Sequence, residues 1–181
     1  MILRAPLVSP RLVLRALTDN DVGPAYLGWL TDPDVVRHLE VRFSDCSGEA
    51  VRRFIASTNA SNDSLLCGIT LRNDGKHIGN IKLGPVNPWH RRAELGLVIG
   101  DRTEWGKGYA TEAIALITEH AFTVLGLEKV TAGCYSGNEG SRRAFVTAGY
   151  SEVGRIPRHW LCDGQWQDNV ILQKLLPAAV P

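Results

Sequence analysis

The run Ala93-Glu94-Leu95-Gly96-Leu97-Val98-Ile99-Gly100 is followed within a few residues by Trp105-Gly106-Lys107-Gly108-Tyr109-Ala110-Thr111-Glu112-Ala113. This reads as a strand, a loop and a helix. The apolar run ends at Gly100-Asp101, and Gly106 and Gly108 then free the backbone for dihedrals that other residues resist, just ahead of a helical pattern. A helix start leaves its first N–H groups unpaired and carries the positive end of the helix dipole, so the junction predicts a seat for a phosphate or pyrophosphate, with Lys107 adding charge. A plain turn would also accept a Gly-Lys-Gly sequence. A Walker-type loop needs a Gly-Lys-Ser/Thr ending, which Gly106-Lys107-Gly108-Tyr109 lacks, and the three-glycine dinucleotide fingerprint is missing as well. An ATP-binding module therefore ranks last among the phosphate-ligand readings, because the loop offers no Ser or Thr for a metal.

A second block, Asn138-Glu139-Gly140-Ser141-Arg142-Arg143-Ala144-Phe145-Val146-Thr147-Ala148-Gly149-Tyr150, follows a strand-like stretch at 129–135. Asn138 or Ser141 can cap a short helix and Gly149 can close it. With both blocks in this order and spacing, the chain resembles the GNAT superfamily of acyl-CoA-dependent N-acetyltransferases, in particular the branch that acetylates ribosomal-protein N-termini. The resemblance spans essentially the whole chain, from the opening strand at Pro10-Arg11-Leu12-Val13-Leu14-Arg15. It implies acetyl-CoA as cofactor and no metal. The residues it assigns to the cofactor are Leu97, Val98 and Ile99 on the strand, Trp105, Gly106, Lys107, Gly108, Tyr109, Ala110 and Thr111 in the pyrophosphate loop, and Asn138, Ser141 and Arg143 in the second block.

There are two departures from the family pattern. Trp105 stands where many relatives carry Gln or Arg at the head of the loop, and Phe145 stands where many place a general-acid tyrosine. Ser141 is the nearest matching hydroxyl for the leaving thiolate, and a helix-capping role competes with that one. Glu94 is the catalytic candidate for taking a proton from the amine, because family members often use a carboxylate on this strand. Without the family, a glutamate at that position would be read as paired to an arginine or facing solvent. Backbone N–H groups of Leu97 or Val98 are expected to face the thioester oxygen as it gains charge.

At 181 residues, 44% hydrophobic and 22% charged, the chain has room for one domain with a real core, taken as residues 1–181. The net charge of +1 comes without blocks of like charge, which argues against a nucleic-acid surface. No apolar run approaches a membrane span, and a cytoplasmic location is expected. Cys46, Cys67, Cys134 and Cys162 are too scattered for a zinc site or a disulfide framework. A homodimer is compatible with these properties.

The element pattern predicts strands over 11–17, 65–71, 77–85, 92–100 and 129–135, with a closing hairpin around Cys162-Asp163-Gly164. Helices are expected over 21–30, 33–39, 49–60 and 109–125, and from Asn138. Asn73-Asp74-Gly75 has the composition of a hairpin turn with positive φ. The order favours an α/β fold, a single mixed, mostly antiparallel sheet of six to seven strands with helices on both faces.

For the amine acceptor, a small molecule or a peptide, the expected wall comprises Trp29, His38, Arg42, Trp89 and His90, with Tyr26, Arg37, Phe43, Trp160 and Asp168 nearby. His is the side chain that titrates nearest neutral pH, but neither His38 nor His90 has a partner fixed by spacing. Arginine and aromatic groups in that wall lower the rank of polyamines and leave a peptide or protein α-amine, or an amino sugar, in front. A non-catalytic acyl-CoA-binding protein on the same fold is the alternative, supported by Phe145.

Overall fold

The computed structural model describes residues 1–177. Its strands are β1 (Leu7–Val8), β2 (Leu12–Ala16), β3 (Leu65–Leu71), β4 (His77–Leu83), β5 (Arg92–Ile99), β6 (Lys129–Tyr135), β7 (Ser151–Cys162) and β8 (Gln165–Leu175). They form one eight-stranded sheet in the order β1-β2-β3-β4-β5-β6-β8-β7. Every pairing is antiparallel except β5 with β6. The mixed, mostly antiparallel sheet with helices on both faces agrees with the expectation. The strand beyond the expected number is β1, two residues long and turned back onto β2 by Ser9, whose backbone N–H reaches the Leu12 carbonyl. A pair so short carries no detectable periodicity.

The helices are α1 (Pro24–Thr31), α2 (Pro33–Val36), α3 (Gly48–Ala60), α4 (Tyr109–Thr123) and α5 (Glu139–Thr147). Pro24 and Pro33 each enter a helix at its first turn, where the missing N–H leaves no bond unmade. The helix expected over 33–39 ends early, and the chain resumes as a 3₁₀ turn at Glu40–Phe43. Gly75 turns β3 into β4 at φ 72°, the left-handed backbone that its hairpin composition foretold.

Alternation along β5 divides its side chains between two cores. Ala93 and Leu95, with Leu97 and Ile99 behind them, pack with Ile114, Ile117 and Phe145 beneath α4 and α5. Val98 packs on the opposite face with Tyr26, Trp29 and Ile55 of α1 and α3. The helices are held by these stripes, since short helices in water owe their stability mainly to such packing.

Candidate active site

The parallel pairing of β5 with β6 spans only Arg92↔Lys129, Ala93↔Val130 and Glu94↔Thr131. Beyond it β5 stays with β4, and β6 stays with β8 as far as Tyr135↔Asn169. The two strands therefore part, and β5 has a free edge from Leu95 onward. Arg91 accepts hydrogen bonds from the N–H groups of Glu128 and Lys129, while the Glu94 carbonyl accepts from Gly84 on the β4 side. Backbone direction alternates along a strand, so Leu95, Leu97 and Ile99 aim their polar groups into the opening. Of Leu97 and Val98, Leu97 is therefore the one whose N–H faces the gap, whereas Val98 faces its ladder partner Asn80.

The loop beyond β5 adopts the conformation that its glycines suggest, with φ 76° at Gly106 and 82° at Gly108. Gly108 is the N-cap of α4 and supplies no side-chain cap. The first intrahelical bond runs from the Glu112 N–H to the Gly108 carbonyl at 3.1 Å. The N–H groups of Tyr109, Ala110 and Thr111 are thereby left to bind an anion. The Trp105 indole N–H donates to the Ile99 carbonyl at 2.7 Å and fastens the head of the loop to the strand.

Lys107 does not add charge to this seat. Its Nζ lies 2.8 Å from Glu104 Oε2, and Glu104 also meets Lys76 at 3.1 Å; these two lysines hold its carboxyl below the usual range. The loop is instead clamped from β2 by Arg11. Its guanidinium donates to the Lys107 carbonyl at 2.9 Å, pairs with Glu112 at 2.6 Å and lies over the Tyr109 ring at 4.7 Å.

Across the opening, Asn138 caps α5 by accepting the Ser141 N–H at 3.1 Å. Gly149, at φ 90°, closes the helix, and the Tyr150 N–H reaches back to the Phe145 carbonyl at 3.0 Å. A continuous cleft of about 900 Å³ joins the two sides. Among the residues expected to hold a cofactor, Leu97, Val98, Ile99, Trp105, Gly106, Gly108, Tyr109, Ala110, Thr111, Asn138, Ser141 and Arg143 line it; Lys107 does not. Arg142 is taken up by Glu139 at 3.0 Å, which leaves Arg143 as the member of that pair facing the cleft. Phe145 is buried in the core, edge-on to Tyr150 at 5.1 Å, and does not reach the cleft.

The residues expected to meet the acceptor are dispersed. His38 lines the cleft, and burial, then the charges of Arg37 and Arg42, push its imidazole down from its ordinary value. Glu94 is exposed on the sheet face opposite α4 and α5, at the last parallel rung before the strands part. Trp29 is closed into the core against Tyr26 and His77, with ring centroids 5.7 and 5.0 Å away, and so lines no part of the cleft. Trp89 and His90 sit in the exposed β4–β5 turn. That is the far end of β5 from the Gly106 loop, about 25 Å away at ordinary strand rise. Arg42 borders a second, smaller cleft of about 570 Å³ and donates to the Tyr135 hydroxyl and the Leu161 carbonyl, each at 3.1 Å.

Carboxylates missed in the sequence stand beside these arginines. Arg37 pairs with Asp163 at 2.8 Å and Arg102 with Asp34 at 2.7 Å. Glu40 accepts the Tyr135 hydroxyl, and burial, followed by that contact, pushes the phenol up to about 12. The wall is therefore mixed in charge. Asp34 and Glu40 flank Arg37 in one short segment, a signal present in the sequence but unread.

The family model described as acetyltransferase (GNAT) domain matches residues 11–151. The Uncharacterized N-acetyltransferase YoaA of Bacillus subtilis is 26% identical over 173 residues, covering 94% of this chain and 97% of that protein. The spermidine N(1)-acetyltransferase of Escherichia coli K12 is 32% identical over 97 residues, 54% of this chain and 52% of that enzyme. Among solved structures, a GNAT-family acetyltransferase from Bacillus anthracis superposes with a TM-score of 0.81 at 21% identity, covering 94% and 98% of the two chains. The Vibrio cholerae spermidine N-acetyltransferase, solved with CoA and spermine, gives 0.81 at 21% identity over 92% and 96%. At that identity the two structural likenesses bear on the fold.

Proposed function

The chain belongs to the GNAT family of acetyltransferases, and from that premise we propose that it moves an acetyl group from acetyl-CoA directly to a primary amine, either a peptide or protein N-terminal α-amine or that of an amino sugar. The family uses acetyl-CoA, and the residues present here suit it. The observation that carries the reading is one cleft running from the unpaired N–H groups of α4, along the free edge of β5, to the capped start of α5. A pyrophosphate fits the first part, a hydrogen-bonding pantetheine arm the second, and a thioester the point where the strands part. The whole chain acts as one catalytic unit, in the cytoplasm; among the described residues no helix is long and apolar enough to cross a membrane.

Acetyl-CoA supplies an activated acyl group, and the chain's residues position and polarise it. The N–H groups at the start of α4 and the Arg143 guanidinium balance phosphate charge. The Leu97 N–H, pointing into the gap, donates to the carbonyl oxygen as negative charge gathers there. An amine is mostly protonated at neutral pH and must lose a proton to attack. Glu94, on the sheet face opposite α4 and α5, accepts it directly or through one water. Ser141, at the first turn of α5, hydrogen-bonds the departing sulfur. Phe145 supplies no acid, so the sulfur leaves as thiolate or takes its proton through Ser141.

Thiol release from acetyl-CoA, measured across N-terminal peptides, amino sugars and polyamines, tests this reading. Turnover with a peptide or an amino sugar supports it, and turnover with polyamines alone overturns the acceptor assignment. The absence of both thiol release and thermal stabilisation by acetyl-CoA overturns the cofactor assignment.

A further inference from the structure

The smaller cleft lies between α2, the 3₁₀ turn at Glu40–Phe43 and the tip of the β7–β8 hairpin, and four charged side chains border it: Asp34, Arg37, Arg42 and Asp163. Three of them are already engaged. Arg37 holds Asp163 at 2.8 Å, and Asp34 holds Arg102 at 2.7 Å. Arg42 has no ion-pair partner among the described residues; its guanidinium donates to neutral oxygens, the Arg37 carbonyl, the Tyr135 hydroxyl and the Leu161 carbonyl. Those bonds leave its Nε–H and one Nη–H free. The Glu40 carboxylate meets the same Tyr135 hydroxyl but lines neither cleft.

The guanidinium is also held in place. It lies over the Phe43 ring at 4.5 Å and over the Tyr135 ring at 5.3 Å. A planar fork fixed in this way loses little freedom when it takes an anion. Arg42 is half-buried and Phe43 beside it is 72% exposed, so the place is open to solvent.

Its position relative to the gap follows from the ladder. Glu94↔Thr131 is the last parallel rung, and four residues farther along each strand stand Val98 and Tyr135. Tyr135 therefore stands across the opening at the level of Val98, one residue past the Leu97 N–H. Val35 and Val41 pack with Val98, so α2 and the turn bearing Arg42 lie on the Glu94 face of β5, the face from which the amine approaches. Asp34 and Arg37 line both clefts, so the two adjoin.

Resting on the acetyltransferase reading, we infer that Arg42 recognises an anionic group that the acceptor carries a few atoms from its amine. The substrate class is then an amine with a carboxylate or a phosphate nearby, as in a peptide opening with Asp or Glu or in an amino sugar phosphate. An acceptor with a second cation at that distance is repelled by the same charge.

The test uses the full chain and its Arg42→Glu and Arg42→Gln variants, with initial rates for the C-terminally amidated peptides Asp-Ala-Ala, Ala-Ala-Ala and Lys-Ala-Ala, for glucosamine and for glucosamine 6-phosphate. Wild type is expected to show about tenfold higher kcat/KM for the anionic member of whichever group it accepts, the size of a charge-assisted hydrogen bond at a half-exposed site. Preference within the peptides identifies a carboxylate as the anion, and preference within the sugars a phosphate. Arg42→Glu abolishes the preference, and among peptides reverses it in favour of Lys-Ala-Ala, while acetyl-CoA affinity by calorimetric titration stays within twofold of wild type. A merely structural arginine would lower all the rates together and leave their order unchanged. Equal rates for anionic and neutral acceptors in wild type, a wild-type preference for Lys-Ala-Ala, or an anionic preference that survives Arg42→Glu overturns the inference. If Arg42→Glu does not fold, Arg42→Gln, which keeps amide donors without the charge, decides by the same loss of preference. No thiol release by wild type with any acceptor overturns the transferase reading instead and takes this inference with it.

Discussion

The Glu112 carboxylate, in the first turn of α4, accepts both the backbone N–H and the Nε of Arg11 at the mouth of β2, at 3.0 and 2.6 Å. The Ser9 hydroxyl reaches the same carboxylate at 2.7 Å. Burial alone pushes this carboxyl up; the hydrogen bonds from Ser9 and Arg11 outweigh it and hold the group below its ordinary value. Through Arg11, β2 fixes the loop that leads into α4.

Arg11→Ala should therefore weaken acetyl-CoA binding about three- to tenfold and leave kcat at saturation near wild type. The range follows from losing charge-assisted hydrogen bonds at a half-exposed site. Calorimetric titration of acetyl-CoA is the check, and unchanged affinity would show that the loop holds its shape without the clamp.

Glu94→Gln keeps the shape of the side chain and removes its basicity. The expected outcome is a fall in kcat of about a hundredfold or more, with acetyl-CoA affinity unchanged, as for loss of a general base. A variant with wild-type kcat would send the search for the base to His38 or to water.

Ser141→Ala separates two roles for one hydroxyl. A lower kcat with intact CoA affinity assigns Ser141 to the leaving thiolate, whereas an intact kcat with weaker CoA binding assigns it to holding the cofactor. The helix itself should survive, since the capping oxygen belongs to Asn138 and Ser141 contributes only its backbone N–H.

His77 gives the chain a pH dependence separate from catalysis. Burial pushes its imidazole below 6.5, outweighing the hydrogen bond to Asn80. The folded state thus prefers the neutral ring, and the stabilisation is complete above pH 6.5 and lost as pH falls below it. His38 and His120 are also lowered and add to the same trend. Urea unfolding at pH 7.5 and 5.5 should show lower stability at the acid value, with a smaller difference in His77→Gln.

The parts legible in the sequence were those in which a few adjacent residues set the backbone. Gly106 and Gly108 announced a loop with positive φ, Asn138 a helix cap, and Asn73-Asp74-Gly75 a hairpin. The parts that were not legible depend on partners remote along the chain. Arg11 lies 96 residues from the carbonyl that it holds, and no local pattern marks it. Lys107 looked like a phosphate ligand until the fold supplied Glu104, and Trp29 looked like a pocket wall until α1 packed it against His77.

Among the described residues, three ladder pairs join β5 to β6. The two halves also share one core beneath α4 and α5, so what the short seam leaves loose is the edge of β5 beyond Glu94. A molecule lying along the free edge of β5 supplies the missing rungs and works as a strut. Occupancy and rigidity then become one quantity, and the amide protons of Leu97 and Ile99 should report both by exchanging slowly with solvent only while that edge is filled.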